Sequence, residues 1–373
     1  SIIQNESNII FNNRPNIYFI SFESMVPLSI AKKNFKQPYF AYHKVLDDNF
    51  YKFKNAFTLA FPSKESLNSL LAFDQKKYLL LKKKERHMDF FTGEIESPLL
   101  NIFKNNNYEL STFYDNFWFG RNKGKYIDNY YTNEAGGKFN TCAFDPGYGL
   151  HLKVSFLGYC LLNEKIKFKI ISFLSGKELS KTTAVEKIIE IMKKNINKSK
   201  PQFFMAHNIN PGHTAIYKYG NKESFDDFVN TYKNKSMIVK KEIQNILDFI
   251  KKNDPNSILF LYADHGPKLT SGMELEENPR YKILDSFAVY AGIYPKRRCD
   301  KYANYLYKNR DFASLVDAAK VIINCLAENK NALTFNEEQY FMDGPEIKYF
   351  NDDKNIILGY KNEILKLNNY IYE

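Results

Sequence analysis

Three short apolar runs constrain this chain more than any other feature. They read NIYFISF at 16–22, QFFMA at 202–206 and ILFLYA at 258–263, and each stops on an acid or an imidazole. Runs this apolar, without the polar alternation of a half-exposed strand, suit strands buried on both faces of a parallel sheet. Helical stretches separate them. Thr183 and Glu186 form the pattern of a capping box before AVEKIIEIMKKNI, and Ser224 and Asp227 open a long stretch that ends near ILDFIKKND. SPLLNIFKNNNYELSTFY (97–114) reads as helix, Asn-rich turn and strand. SFAVYAGIYP (286–295) reads as a strand, and SLVDAAKVIINCLAEN (314–329) as a helix. The alternation predicts an α/β fold with a mostly parallel central sheet flanked by helices. Residues 120–149 hold six of the sixteen Gly and read as loop. Residues 151–176 fit helix or strand equally. No repeat or Gly/Ser-rich linker divides the chain. We therefore expect one α/β domain over 1–335, with a small α+β extension at 336–373 packed on it.

At 373 residues, 44% hydrophobic and 16% aromatic, the chain can bury a large core, which excludes global disorder. The net charge of +11 suits an anionic partner. The Lys residues are scattered and no DNA- or RNA-binding signature accompanies them, so nucleic acid is not expected. No apolar run has the length of a membrane helix. The chain opens at Ser1 with no signal peptide, which reads as an excised domain or a processed product. Cys142, Cys160, Cys299 and Cys325 lack CxxC spacing, which removes zinc-ribbon and thioredoxin readings and leaves disulfides open.

Parallel strands deliver their C-terminal ends to one sheet edge, where such folds bind ligands. The three runs bring Glu23, then His207 and His213 of AHNINPGH, then Asp264 and His265 of YADHG to that edge. Each alone has a plain reading as a turn residue or a satisfied structural histidine. Three at one edge favour a site. Two carboxylates with imidazoles suit a borderline divalent cation such as Zn²⁺ or Mn²⁺. His43, His87 and His151 belong to no such set and read as structural.

This ordered set resembles the alkaline phosphatase/sulfatase superfamily. RPNIYFISFES resembles its opening strand, SPLLNIFKNNNYELSTFY the helix-turn-strand after its nucleophile, and RDFASLVDAAKVIINCL its late helix. A single Glu after the first strand, where sulfatases carry an Asp pair, resembles the lipoteichoic acid synthase and phosphoethanolamine transferase branch. The resemblance implies that Glu23, Asp264 and His265 ligate one divalent metal, Mn²⁺ or Zn²⁺, and that His207 and His213 contact the substrate phosphate or a second metal. It implies transfer of a phosphoryl-linked group (phosphoglycerol, phosphoethanolamine or similar) through a covalent Thr or Ser intermediate. The donor would be a phosphate-bearing lipid or nucleotide and the acceptor a glycan or lipid. The setting would be cell-envelope or capsule polysaccharide modification at a membrane surface, periplasmic or envelope, with the cytoplasmic face still open. Hydrolysis of a phosphodiester or sulfate ester is one alternative, and a non-catalytic anion- or glycan-binding relative another.

In relatives with a Pro-Ser pair, the nucleophile tends to lie two residues before the Pro. Here the pair is Pro62-Ser63 and that position is Ala60, which cannot attack. Three explanations stand at this point. Thr58 points to the same side of an extended segment, Ala60 replaces a Thr or Ser, or the protein is a natural pseudoenzyme. Ser63 and Ser66 are backup hydroxyls that read first as helix-capping residues. Ala60 also removes the formylglycine route of sulfatases. FYDNFWFGRNKGKYIDNYY carries Trp118 and Arg121, which resemble a Trp-x-Arg pair that grips glycerol phosphate, with one extra residue between them. As substrate-binding residues they would offer a flat indole wall and a fork of donors.

Overall fold

The computed structural model describes residues 8–73, 89–115, 123–132, 183–196, 198–213, 222–267 and 279–335, together with 339, 341–343, 349–350, 356–357 and 367–373. Trp118, Arg121, His87, His151, Cys142, Cys160 and the 151–176 stretch lie outside the described residues. Seven strands form the central sheet: β1 (Ile17–Phe22), β2 (Tyr51–Lys52), β3 (Glu109–Tyr114), β4 (Asn129–Thr132), β5 (Gln202–Asn208), β6 (Ile258–Tyr262) and β7 (Ala291–Tyr294). Their order is β2-β7-β6-β1-β5-β3-β4. The three apolar runs are its three central strands, and every residue of β1, β5 and β6 is buried. β1 pairs in parallel with β5 and β6, and β3 in parallel with β5 and β4. At the other edge β7 runs antiparallel to β6 and to β2.

Parallel neighbours need long crossovers, and helices supply them. The helices around the sheet include α1 (Ser63–Ala72), α2 (Pro98–Asn105), α3 (Ala184–Asn195) and α4 (Lys222–Asn253), with α5 (Pro279–Phe287) between the antiparallel β6 and β7 and α6 (Leu315–Leu326) after β7. The capping box before α3 forms as the spacing predicts: Thr183 N–H donates to Glu186 Oε2 at 2.8 Å, and Glu186 N–H to Thr183 Oγ1 at 3.2 Å. A second box, Ser314 with Asp317, opens α6. Rings of Phe19, Phe203, Phe260 and Phe103 pack between the sheet and α2, with centroids 4.3–6.5 Å apart. Such pairs contribute roughly 0.5–1.5 kcal/mol each beyond their burial.

Two expectations change. The strand expected over 286–295 exists only at Ala291–Tyr294, because Ser286 and Phe287 end α5. Residues 283–293 are buried throughout. Periodicity therefore carries no signal for helix against strand. Within the Gly-rich stretch read as loop, Asn129–Thr132 instead adds the outer strand β4, half-buried on all four residues. In the C-terminal extension, Met342–Asp343 pairs in parallel with Ala60–Phe61, and the Tyr372 ring lies 5.3 Å from that of Phe57. Cys299 and Cys325 form a disulfide onto α6.

Candidate functional site

The C-terminal ends of β1, β5 and β6 meet as the parallel register requires, and backbone bonds tie their loops together. Glu23 N–H donates to Asn208 O at 2.9 Å, and Gly212 N–H to Glu23 O at 3.1 Å. Asp264 Oδ1 accepts from His265 N–H at 2.9 Å and Ser24 N–H at 3.3 Å. Gly266 is required by crowding, since a β-carbon there would collide with the Asp285 carbonyl.

His265 is oriented by its own loop. Its Nδ1 donates to Gly266 O at 2.7 Å, so the neutral ring presents Nε2 as an acceptor toward the cluster. That Nε2 lies 3.4 Å from Asp264 Oδ2 and 3.9 Å from Glu23 Oε1. His213 Nε2 stands 3.0 Å from the same Glu23 oxygen. His207 is wholly buried, with Nδ1 2.7 Å from Ser21 Oγ and the Tyr114 ring stacked on it at 4.6 Å. Its Nε2 faces Asp264 Oδ2 at 3.9 Å. Both atoms are buried with no hydrogen-bond partner among the described residues. Each such orphan costs about 1–3 kcal/mol, so a missing ligand is the physical question they raise.

Charge within the cluster is uneven. Burial pushes the Glu23 carboxyl up, but the bond and charge of His213 and the charges of His265 and His207 outweigh it and hold it below the usual range. Burial raises Asp264; His207 opposes that, while the Glu23 charge adds to it. Burial lowers His207 against the pull of Asp264 and Glu23. The cluster thus favours the anion of Glu23 and the neutral form of His207. The residues fit a divalent cation. Glu23, His213 and His265 each offer a ligand atom, all within 4.8 Å of one another, and Asp264 adds an orphaned carboxylate oxygen beside them.

The hydroxyl at this cluster is neither Thr58 nor at position 60 but the backup, Ser63. Thr58 and Ala60 are fully buried. Thr58 Oγ1 is 2.6 Å from Ser66 Oγ and donates to Ala60 O, while Ser66 donates to the Asp264 carbonyl, so Thr58 is turned into the packing beneath α1. Ser63 takes the place at the cluster. Its hydroxyl is 3.0 Å from His265 Nε2 and interacts with the Asp264 carboxyl and the Tyr114 phenol. Nor does Ser63 cap α1, whose N-cap is Pro62 with no side-chain bond. It is the first helical residue, at the N-terminus of α1. The signal that could have found it is the Pro-Ser pair itself, since Pro before a first-turn residue marks where a helix starts.

The cluster therefore joins Glu23, His207, His213, Asp264 and His265 with Ser63. Ser21, Ser24 and Tyr114 position them. A family model described as Sulfatase matches residues 15–314 of the chain. No curated protein matches it. Among solved structures it is similar to the C-terminal periplasmic domain of EcEptC from Escherichia coli in complex with Zn, at 13% identity and TM-score 0.54, covering 95% of this chain and 93% of that one. It is also similar to Ps i-CgsB in complex with k-i-k-neocarrahexaose, at 17% identity and TM-score 0.51, covering 86% and 74%. A third is an alkaline phosphatase superfamily protein from Vibrio parahaemolyticus, at 13% identity and TM-score 0.51, covering 89% and 73%.

Proposed function

The chain belongs to the sulfatase family, within the alkaline phosphatase superfamily, and from that premise we propose that it is a metal-dependent phosphotransferase with Ser63 as its nucleophile. The observation that carries the reading is the Ser63 hydroxyl, 3.0 Å from His265 Nε2 and at the head of a ten-residue helix. Glu23, Asp264 and His265 would hold the cation, with His213 as a further donor. A divalent cation there supplies a Lewis acid that favours an ionised hydroxyl and offsets charge developing on phosphorus-bound oxygens. Ser63 Oγ attacks phosphorus, and the bond from phosphorus to the donor alcohol breaks. The seryl ester then carries the group until an acceptor hydroxyl displaces Ser63 Oγ. His207 sits within the cluster as a neutral imidazole with Nε2 open, able to take up the proton or face a phosphoryl oxygen. The N-terminus of α1, where Ser63 stands, would favour negative charge on the same oxygens.

The group moved is phosphoglycerol, phosphoethanolamine or a similar alcohol, from a phosphate-bearing lipid or nucleotide to a glycan or lipid. The EcEptC domain supports that class and, in its complex with Zn, a divalent cofactor, and the k-i-k-neocarrahexaose bound to i-CgsB supports a glycan acceptor. We place the protein in the cell envelope, against an anionic membrane surface. The Cys299–Cys325 disulfide suits an oxidising compartment, and the +11 charge suits that surface. No helix of the described residues is long and apolar enough to cross a membrane. Trp118 and Arg121 remain proposed substrate contacts.

The test is a quench of metal-loaded protein with a chromogenic phosphodiester, followed by peptide mass spectrometry. An adduct on Ser63, lost in Ser63→Ala and kept in Thr58→Ala, is the expected result. Full turnover by Ser63→Ala, or an adduct on Thr58, overturns the assignment.

A further inference from the structure

We propose that Lys235 is an anion-contacting residue of this site, holding a negatively charged substrate oxygen across the gap that Gly212 leaves beside Glu23. The inference rests on the phosphotransfer reading above.

Helix α4 carries Tyr232, Lys235, Val239 and Glu242 at spacings of three, four and three, which places them along one face. Three of the four are buried. Tyr232 donates its hydroxyl to Ser24 O at 2.7 Å, next to Glu23. Glu242 accepts from Asn208 Nδ2 at 2.9 Å and Asn210 Nδ2 at 3.0 Å, just before Gly212. The face is thus tied to the loop after β1 at one end and to the loop after β5 at the other. Lys235 is the residue between the two ties, and it points at the gap they frame.

Gly212 makes that gap. It has φ +73°, and a β-carbon there would lie 2.9 Å from Ile209 O, so the position resists any other residue. The same point lies 3.7 Å from Lys235 Nζ and 3.9 Å from Glu23 Oε2. The Lys235 ammonium and the Glu23 carboxylate thus both border the point that a side chain at Gly212 would occupy, and they form no ion pair with one another. Lys235 is half-buried, and no ion pair is formed by it among the described residues. A partly desolvated ammonium without a counter-charge is unfavourable. An anionic oxygen entering beside the cluster would satisfy it, because an ammonium offers three donors to a phosphate as a point charge.

The experiment uses the Mn²⁺-loaded chain, with inorganic phosphate binding by calorimetry and steady-state kinetics on bis(p-nitrophenyl) phosphate. Lys235→Met should weaken phosphate binding and raise KM by about tenfold, the loss of one charge-assisted contact. It should leave kcat within about twofold and the melting temperature unchanged, and flatten the salt dependence of kcat/KM. Lys235→Arg should recover most of the affinity. Unchanged phosphate affinity in Lys235→Met overturns the proposal, as does a fall in melting temperature that Lys235→Arg shares. Phosphate binding decides the matter even if the parent turns over no diester, in which case only the phosphotransfer reading fails.

Discussion

His43 and His207 are both buried imidazoles that burial pushes toward the neutral form, yet they are finished in opposite ways. His43 sits at the start of the helix His43–Asn49, where Nδ1 accepts from Phe40 N–H at 2.9 Å and Nε2 donates to Val26 O at 3.0 Å. Both nitrogens are used, and the ring is a bracket between two stretches of backbone. His207 has one nitrogen against Ser21 and the other open, aimed at an equally open carboxylate oxygen. The same division separates two hydroxyls. Thr58 is closed into Ser66 and Ala60 O, while Ser63 faces the cluster. A buried polar side chain is told from a working one by its second valence, not by its burial.

The sharpest way to break that comparison is through the hydroxyls. Ser63→Ala should lower turnover by at least about 10³-fold while metal content, by elemental analysis, is retained. Thr58→Ala should keep turnover and lose stability. The reverse pattern would erase the distinction. The histidines come next. His207→Ala should cut kcat/KM by about 10²-fold with little change in melting temperature. His43→Ala should keep kcat/KM and lose about 2 kcal/mol, because it strands Phe40 N–H and leaves Val26 O with the Tyr42 hydroxyl alone. Equal stability losses in both would show that His207 is a bracket too.

A smaller effect sharpens it through pH. Burial holds His43 at about 4, below its unfolded value near 6.5. The unfolded chain binds the proton more tightly, so the stability His43 contributes above 6.5 is lost as pH falls toward 4. Burial, opposed by Lys64, raises Asp89 from 3.8 to about 6. There the folded chain binds the proton more tightly, so stability is lost as pH rises from 3.8 through 6. The two trends offset one another between about pH 4 and 6. Asp89→Asn should unmask the histidine, giving a stability that climbs by roughly 1 kcal/mol per pH unit across that window. Chemical denaturation at several pH values reads it, and a flat profile in Asp89→Asn would mean His43 is not held neutral.

Much of this was legible in the sequence, for identifiable reasons. The runs at 16–22, 202–206 and 258–263 are strands because a strand buried on both faces has no polar residue to hide. The ends of those strands pointed to Glu23, His207, His213, Asp264 and His265. Ser63 was legible only as a backup hydroxyl ranked below Thr58 and position 60, because its direction depends on which residue begins α1, and helix ends are the least certain part of any pattern. The 286–295 segment failed because burial on all sides removes periodicity. The Cys299–Cys325 pairing is one of several that four cysteines allow. Lys235 looks like any solvated lysine until the loop at Gly212 is brought beside it.

The place of β1 in the sheet has a consequence for how the chain is made. Its two partners, β5 and β6, begin about 180 and 240 residues later. At roughly 5–20 residues per second, synthesis leaves IYFISF without either neighbour for about ten seconds or more. Pairing so distant in sequence is slow, because a long loop must close before any contact rewards it. No fragment that stops short of His265 can assemble the cluster. A six-residue segment with three aromatics and no charge meanwhile has the composition of an aggregation-prone strand. Until residue 265 has emerged, the nascent chain carries this segment without its two strand neighbours.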